Sequence, residues 1–78
     1  MKNQDLLVRF GRMMQNKREF MGLSQEDIAE MLGVHQSTYA QYEKGNRNMK
    51  LDVVIAVCQI LKIDLTEFIQ DEDRRISR

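Results

Sequence analysis

The sequence contains no proline, no tryptophan, one cysteine (Cys58), one histidine (His35) and no net charge. A lone cysteine excludes an internal disulfide, and one histidine with one cysteine cannot assemble a structural zinc site, so no metal is expected. The same scarcity leaves no nucleophile and base to pair, which makes an enzyme the least expected reading and no cofactor is anticipated. No apolar run approaches the ~20 residues that span a bilayer. The opening MKNQDLLVRF lacks the regions of a secretory leader, so a cytoplasmic location and no membrane partner are expected. Zero net charge argues against a strong long-range field; any polyanion would have to be met by a local basic patch. Residues 1–50 carry eight Lys/Arg against six Asp/Glu, and residues 51–78 four against six, so the small positive excess lies in the N-terminal part.

What is present fits a single small globular domain: 78 residues, 42% hydrophobic and 31% charged. Residues 1–70 read as the domain and 71–78 as a charged, mobile tail. With proline absent, glycine supplies the punctuation. Gly22, Gly33 and Gly45 suit positions just beyond helix ends, whereas Gly11 sits inside a helix, where close backbone contact is the simplest reason for it. Helix starts give a second signal. In Leu23-Ser24-Gln25-Glu26-Asp27-Ile28, Ser24 and Asp27 form a capping box and Leu23 staples to Ile28. The frame recurs at Ile63-Asp64-Leu65-Thr66-Glu67-Phe68. At Val34-His35-Gln36-Ser37-Thr38-Tyr39 the staple pair is present, but His35 is a poor substitute for a capping Ser or Thr.

These signals predict an all-α, compact five-helix domain, with helices over about 5–20, 25–32, 36–43, 51–62 and 65–70. The expected core takes Leu6, Leu7, Phe10, Met14 and Met21 from the first helix and Ile28, Ala29 and Leu32 from the second. The fourth contributes Leu51, Val54, Ile55, Cys58 and Leu61. The remaining methionines, Met1, Met13, Met31 and Met49, read as gap fillers or scattered surface residues.

Residues 24–43 hold two short helices joined by the turn Gly33-Val34-His35, the skeleton of a helix-turn-helix. In the second, Tyr39 and Tyr42 fall toward the core, leaving Gln36, Ser37, Ala40 and Gln41 on the opposite face. Amides suit the major groove, since Gln can donate to adenine N7 while accepting from N6, and Ala can meet a thymine methyl. The face has neither long acids nor bulky apolar groups to oppose close approach.

The run MGLSQEDIAEMLGVHQSTYAQYEKGNRN, with LDVVIAVCQILKIDLTEF after it, resembles the Cro and phage-repressor type of helix-turn-helix, also called the XRE family; the likeness covers roughly residues 10–69. The resemblance implies a five-helix repressor-like fold and a transcriptional regulator, a repressor, that binds double-stranded DNA with its third helix in the major groove. It further implies that Gln36, Ser37, Ala40 and Gln41 read bases, and that Gln25 contacts a phosphate while buttressing the recognition helix. Arg18 pairs with Glu43 beneath that surface, and His35, Thr38, Lys44, Asn46, Arg47, Asn48 and Lys50 position the domain on the sugar-phosphate backbone. Four positions depart from the family pattern: Met49 stands where proline is frequent, Lys50 where Ser often caps, Tyr39 where Ile or Val is usual, and His35 where Ser or Thr is common.

After its core stripe is assigned, the fourth helix retains Val53, Val57 and Ile60 at helical spacing, an apolar stripe that implies burial on a second side. Either the last helix or tail covers it, or it forms a homodimer that sets two recognition helices one DNA turn apart on a palindromic operator, as small standalone controllers of restriction-modification in the family do. The alternative function is a protein-interaction module, such as an antitoxin or regulatory subunit, using the same scaffold. A protein antagonist or co-regulator is a further expected partner, because the sequence contains no sensor domain.

Overall fold

A computed structural model describes residues 3–76, so Met1 and the final two residues of the expected tail lie outside the described residues. Five helices follow in order: α1 (Asn3–Phe20), α2 (Gln25–Leu32), α3 (Gln36–Lys44), α4 (Leu51–Leu61) and α5 (Leu65–Ile76). The described residues contain no strand, and none of their helices is long and apolar enough to cross a membrane.

The local code for the α2–α3 pair operates as the sequence predicts. The Ser24 hydroxyl accepts from the Asp27 backbone N–H at 3.0 Å while the Asp27 carboxylate accepts from the Ser24 N–H at 2.9 Å, which satisfies two donors that the helix itself cannot. Those bonds hold the Asp27 carboxyl below its ordinary pKa, the backbone N–H contributing most. Gly33 ends α2 with φ 72° and Gly45 ends α3 with φ 75°, a left-handed geometry that costs a residue with a Cβ roughly 1–2 kcal/mol. His35 begins α3 with no side-chain cap, and neither does Lys50 cap α4. The Asp64 carboxylate caps α5 by accepting from the N–H groups of Thr66 and Glu67. Lys62 closes α4 in the left-handed region at φ 57° without being glycine.

The core is shared by every helix: Phe10 and Met14 from α1, Ile28 and Ala29 from α2, Tyr39 and Tyr42 from α3, Val57 and Leu61 from α4, then Ile63 and Phe68. The α1–α3 interface is the most extensive between helices, and Gly11 explains how close it is. A Cβ at Gly11 would sit 2.6 Å from the Tyr42 carbonyl oxygen and also against that of Glu43, and one at Gly45 would meet the Val8 backbone. Glycine at both contacts lets α1 lie directly on the end of α3.

Three expectations require correction. The apolar stripe proposed as a dimer surface is not free: Val57 is completely buried in the core, and Val53 and Ile60 are half-buried against it. The large apolar side chains of α4 that reach solvent are Leu51 and Ile55, 72% and 48% exposed, both expected inside. LDVVIAVCQIL is apolar on nearly every side, so its period does not single out one face; the tertiary contact of Val57 and Leu61 with the other helices does. Met21 is also exposed, because it lies past the end of α1 and no longer shares that helix's inner face.

The third correction concerns the C-terminus, where α5 continues to Ile76 rather than stopping at residue 70. Arg9 on α1 donates from Nε at 2.8 Å and Nη2 at 2.6 Å to Oε1 of Glu72, which is buried. One turn earlier the rings of Phe10 and Phe68 meet edge to face with centroids 5.3 Å apart. Residues 71–76 thus continue α5, and Glu72 ties it to α1 through a long-range ion pair, a partner that local sequence pattern does not reveal.

Candidate nucleic-acid interface

Helix α3 is held from behind by a polar group that crosses three helices. Arg18 on α1 donates from Nε to Glu43 Oε2 at 2.6 Å, from Nη2 to Oε1 at 3.1 Å, and from Nη1 to the Leu23 carbonyl at 2.9 Å. Gln25, first residue of α2, donates its amide Nε2 to Glu43 Oε1 at 2.9 Å. One carboxylate on α3 thus receives α1 and α2 together, and the guanidinium also ties down the turn before α2. Bidentate geometry of this kind fixes orientation as well as distance. Burial alone would raise the Glu43 carboxyl, but the donors from Arg18 and Gln25 outweigh it and hold its pKa below the ordinary range. The Tyr39 hydroxyl lies in the same buried group without a hydrogen bond of standard geometry. Burial first, and the neighbouring Glu43 carboxylate second, push that phenol well above its usual value, so it stays neutral.

On its outer side α3 exposes Gln36, Ser37 and Gln41, while Ala40 and Thr38 are half-buried. Tyr39 and Tyr42 face inward, as the three-residue spacing predicts. The Gln41 side chain is not free: its Oε1 accepts from Arg47 Nη1 at 3.1 Å. The turn after α3 brings this about, because the Gly45 N–H and Asn46 N–H fold back onto α3 carbonyls, the latter to Gln41 O at 3.0 Å.

Beside this face lies a shallow cleft lined by His35, Thr38, Arg47, Asn48, Lys50 and Asp52. It brings together five of the predicted positioning residues. Lys44 and Asn46 are exposed near the end of α3 but do not line it, and Gln25 is engaged with Glu43. Asp52, an acid within a mostly basic and polar rim, was not anticipated. Nor was the Leu23 carbonyl, for a backbone acceptor leaves no trace in residue type.

The model of the family described as helix-turn-helix matches residues 14–68, which spans α2, α3 and α4 with the end of α1 and the start of α5. The chain belongs to the helix-turn-helix family, in its Cro and phage-repressor (XRE) branch. Among helix-turn-helix relatives it is 33% identical over 54 residues to the cryptic phage CTXphi transcriptional repressor RstR of Vibrio cholerae, covering 69% of this chain and 49% of that protein. It is 38% identical to an HTH-type transcriptional regulatory protein of Archaeoglobus fulgidus, covering 68% of this chain and 19% of the other. The chain thus spans half or less of the length of these two curated relatives. A solved structure of the same fold, the restriction-modification controller protein C.AhdI from Aeromonas hydrophila, superposes with a TM-score of 0.75 at 31% identity. That match covers 87% of this chain and 99% of the controller.

Proposed function

We propose that the protein is a transcriptional regulator, a repressor, that binds double-stranded DNA in a sequence-specific manner with α3 in the major groove. The observation that carries this reading is the outer face of α3: exposed Gln36, Ser37 and Gln41 stand on a helix whose inner face is anchored by Arg18, Gln25 and Glu43. In this reading Gln36, Ser37, Ala40 and Gln41 meet base edges. His35, Thr38, Lys44, Asn46, Arg47, Asn48 and Lys50 meet phosphates, with Gln25 adding a contact where α2 begins. Support comes from the start of α3 at the cleft. His35 does not cap α3 with its side chain, so the first N–H groups of α3 remain available to phosphate oxygens, whereas at the start of α4 the Asp52 carboxylate already accepts from the Val53 N–H at 2.9 Å.

The dimer on a palindromic operator belongs to the same proposal, with its surface moved to the exposed Leu51 and Ile55 of α4. Zero net charge fits such a dimer, because two half-sites double the few contacts that one neutral domain can make. Selection of bound sequences from random duplexes tests the whole reading. Recovery of a symmetric motif is expected, and Gln36→Ala should erase preference at one base pair per half-site while binding to random duplex survives. Equal weakening on every sequence would overturn the base-reading role. Lys44→Ala and Lys50→Ala should weaken all duplexes alike and lower the salt slope by ~1 each.

A further inference from the structure

We infer that Arg47 is a specificity-determining positioning residue, which fixes the orientation of the Gln41 amide so that Gln41 reads bases as a donor; this rests on the reading of α3 as the base-contacting helix. A guanidinium has only donors, so the amide atom that Arg47 Nη1 meets at 3.1 Å is necessarily the oxygen Oε1. With its oxygen committed to Arg47, Gln41 presents its NH2 group as the part free to reach a base. An NH2 donor fits the acceptor edges of the major groove, guanine N7 and O6 or thymine O4. It fits less well the paired acceptor and donor of adenine, which call for both ends of an unengaged amide.

The placement of Arg47 follows from the turn. Gln41 is bound twice by the segment that leaves α3: its backbone carbonyl accepts from Asn46 N–H at 3.0 Å and its side-chain oxygen accepts from Arg47. Gly45 makes the turn possible through its positive φ and through its direct contact with the Val8 backbone, where any Cβ would collide. The first helix therefore anchors the turn, the turn places Arg47, and Arg47 orients Gln41. No comparable restraint holds Gln36 among the hydrogen bonds of the described residues, so the two glutamines differ in kind. Arg47 also lines the cleft beside α3, and its remaining N–H groups are free to meet a phosphate. One guanidinium can then join backbone contact to base contact. Exposed in the free protein, the Arg47–Gln41 bond contributes little to stability, but it strengthens once DNA excludes water from it.

The test uses the full chain and measures binding to the duplex selected from a random pool, to that duplex changed at each base pair in turn, and to random duplex. Gln41→Ala locates the base pair that Gln41 reads. Arg47→Ala is expected to lose about tenfold of the discrimination at that pair, on top of any uniform weakening, and the double variant should discriminate no worse there than Gln41→Ala. Lys50→Ala supplies the comparison for simple loss of charge and should leave the discrimination ratio unchanged. A uniform loss on all duplexes for Arg47→Ala, with the ratio intact, would overturn the positioning role while leaving Gln41 as a base reader. A wild-type preference for adenine at that pair that persists in Arg47→Ala would overturn it too. If Gln41→Ala changes no base preference, the base-reading role of Gln41 fails and the positioning role falls with it. Circular dichroism of each variant separates these outcomes from loss of fold.

Discussion

Arg18 and Glu43, 25 positions apart in sequence, meet in a bidentate ion pair in which the carboxylate is almost wholly enclosed, its side chain 3% exposed. Removing one member of such a pair leaves the other charge buried without its main partner. Glu43→Ala should therefore destabilise the domain by about 3–5 kcal/mol, read as a lower urea midpoint, because it leaves the Arg18 guanidinium with only the Leu23 carbonyl and a Glu19 carboxylate at 4.0 Å, and it frees Gln25. Replacing both residues by apolar side chains of similar volume should cost much less than either single loss. A Glu43→Ala protein as stable as wild type would show that the pair does not hold α1 to α3.

The same carboxylate sets a pH dependence whose sign is determined. The folded pKa of Glu43 lies below the ordinary value of 4.5, so its contribution is fully present above that value and is lost as pH falls through the lower, folded one. Glu72, lowered first of all by its hydrogen bonds from Arg9, acts in the same direction. Stability should thus decline on acidification, and Glu43→Gln should make the decline shallower. Denaturant midpoints measured from neutral pH down through the carboxylate range check this; parallel curves for the two proteins would rule out Glu43 as a contributor.

Gly11 offers a case where two effects have opposite signs. Alanine in a helix interior is favoured over glycine by about 1 kcal/mol, yet its Cβ would fall 2.6 Å from the Tyr42 carbonyl oxygen and press on the Glu43 backbone. Backbone cannot rotate aside as a side chain can, and overpacking costs roughly 1–3 kcal/mol. Net destabilisation of Gly11→Ala is expected and, under the proposed reading of α3, weaker binding to the selected duplex because α3 shifts outward. A rise in melting temperature would mean that α1 and α3 separate without penalty.

Helix α4 gives paired predictions from neighbouring positions. Val57→Asp places an unpaired carboxylate at a site with no solvent exposure, and several kcal/mol of desolvation should unfold a domain this small. Ile55→Asp, at a half-exposed site, should retain the helical circular dichroism spectrum. Under the dimer proposal it should also sediment as a monomer. A folded Ile55→Asp protein that remains dimeric would exclude that face as the interface.

The α2–α3 unit was legible in the sequence because its determinants are local. Ser24 and Asp27 satisfy each other across one turn, Gly33 and Gly45 stop their helices through backbone geometry, and the spacing of Tyr39 and Tyr42 turns Gln36, Ser37 and Gln41 outward. Each effect acts over a few residues, so residue type and spacing suffice to read it. The Arg18–Glu43 pair was reached through resemblance to a family rather than through pattern.

Other features were settled only when distant segments met. The sequence of α4 is apolar nearly all round, so burial of Val57 and exposure of Leu51 and Ile55 depend on which neighbours the helix packs against. The last turns of α5 are polar and carry local i,i+3 ion pairs, Arg74 with Asp71 and Arg75 with Glu72, but their link to the rest of the domain is made only when Glu72 finds Arg9 across 63 residues. The engagement of Gln41 by Arg47 arises the same way, from a turn seated on Val8 in another helix. Short-range hydrogen bonding and helix periodicity are written in the chain itself; the choice of buried face and the pairing of remote charges are products of packing, which no local window contains.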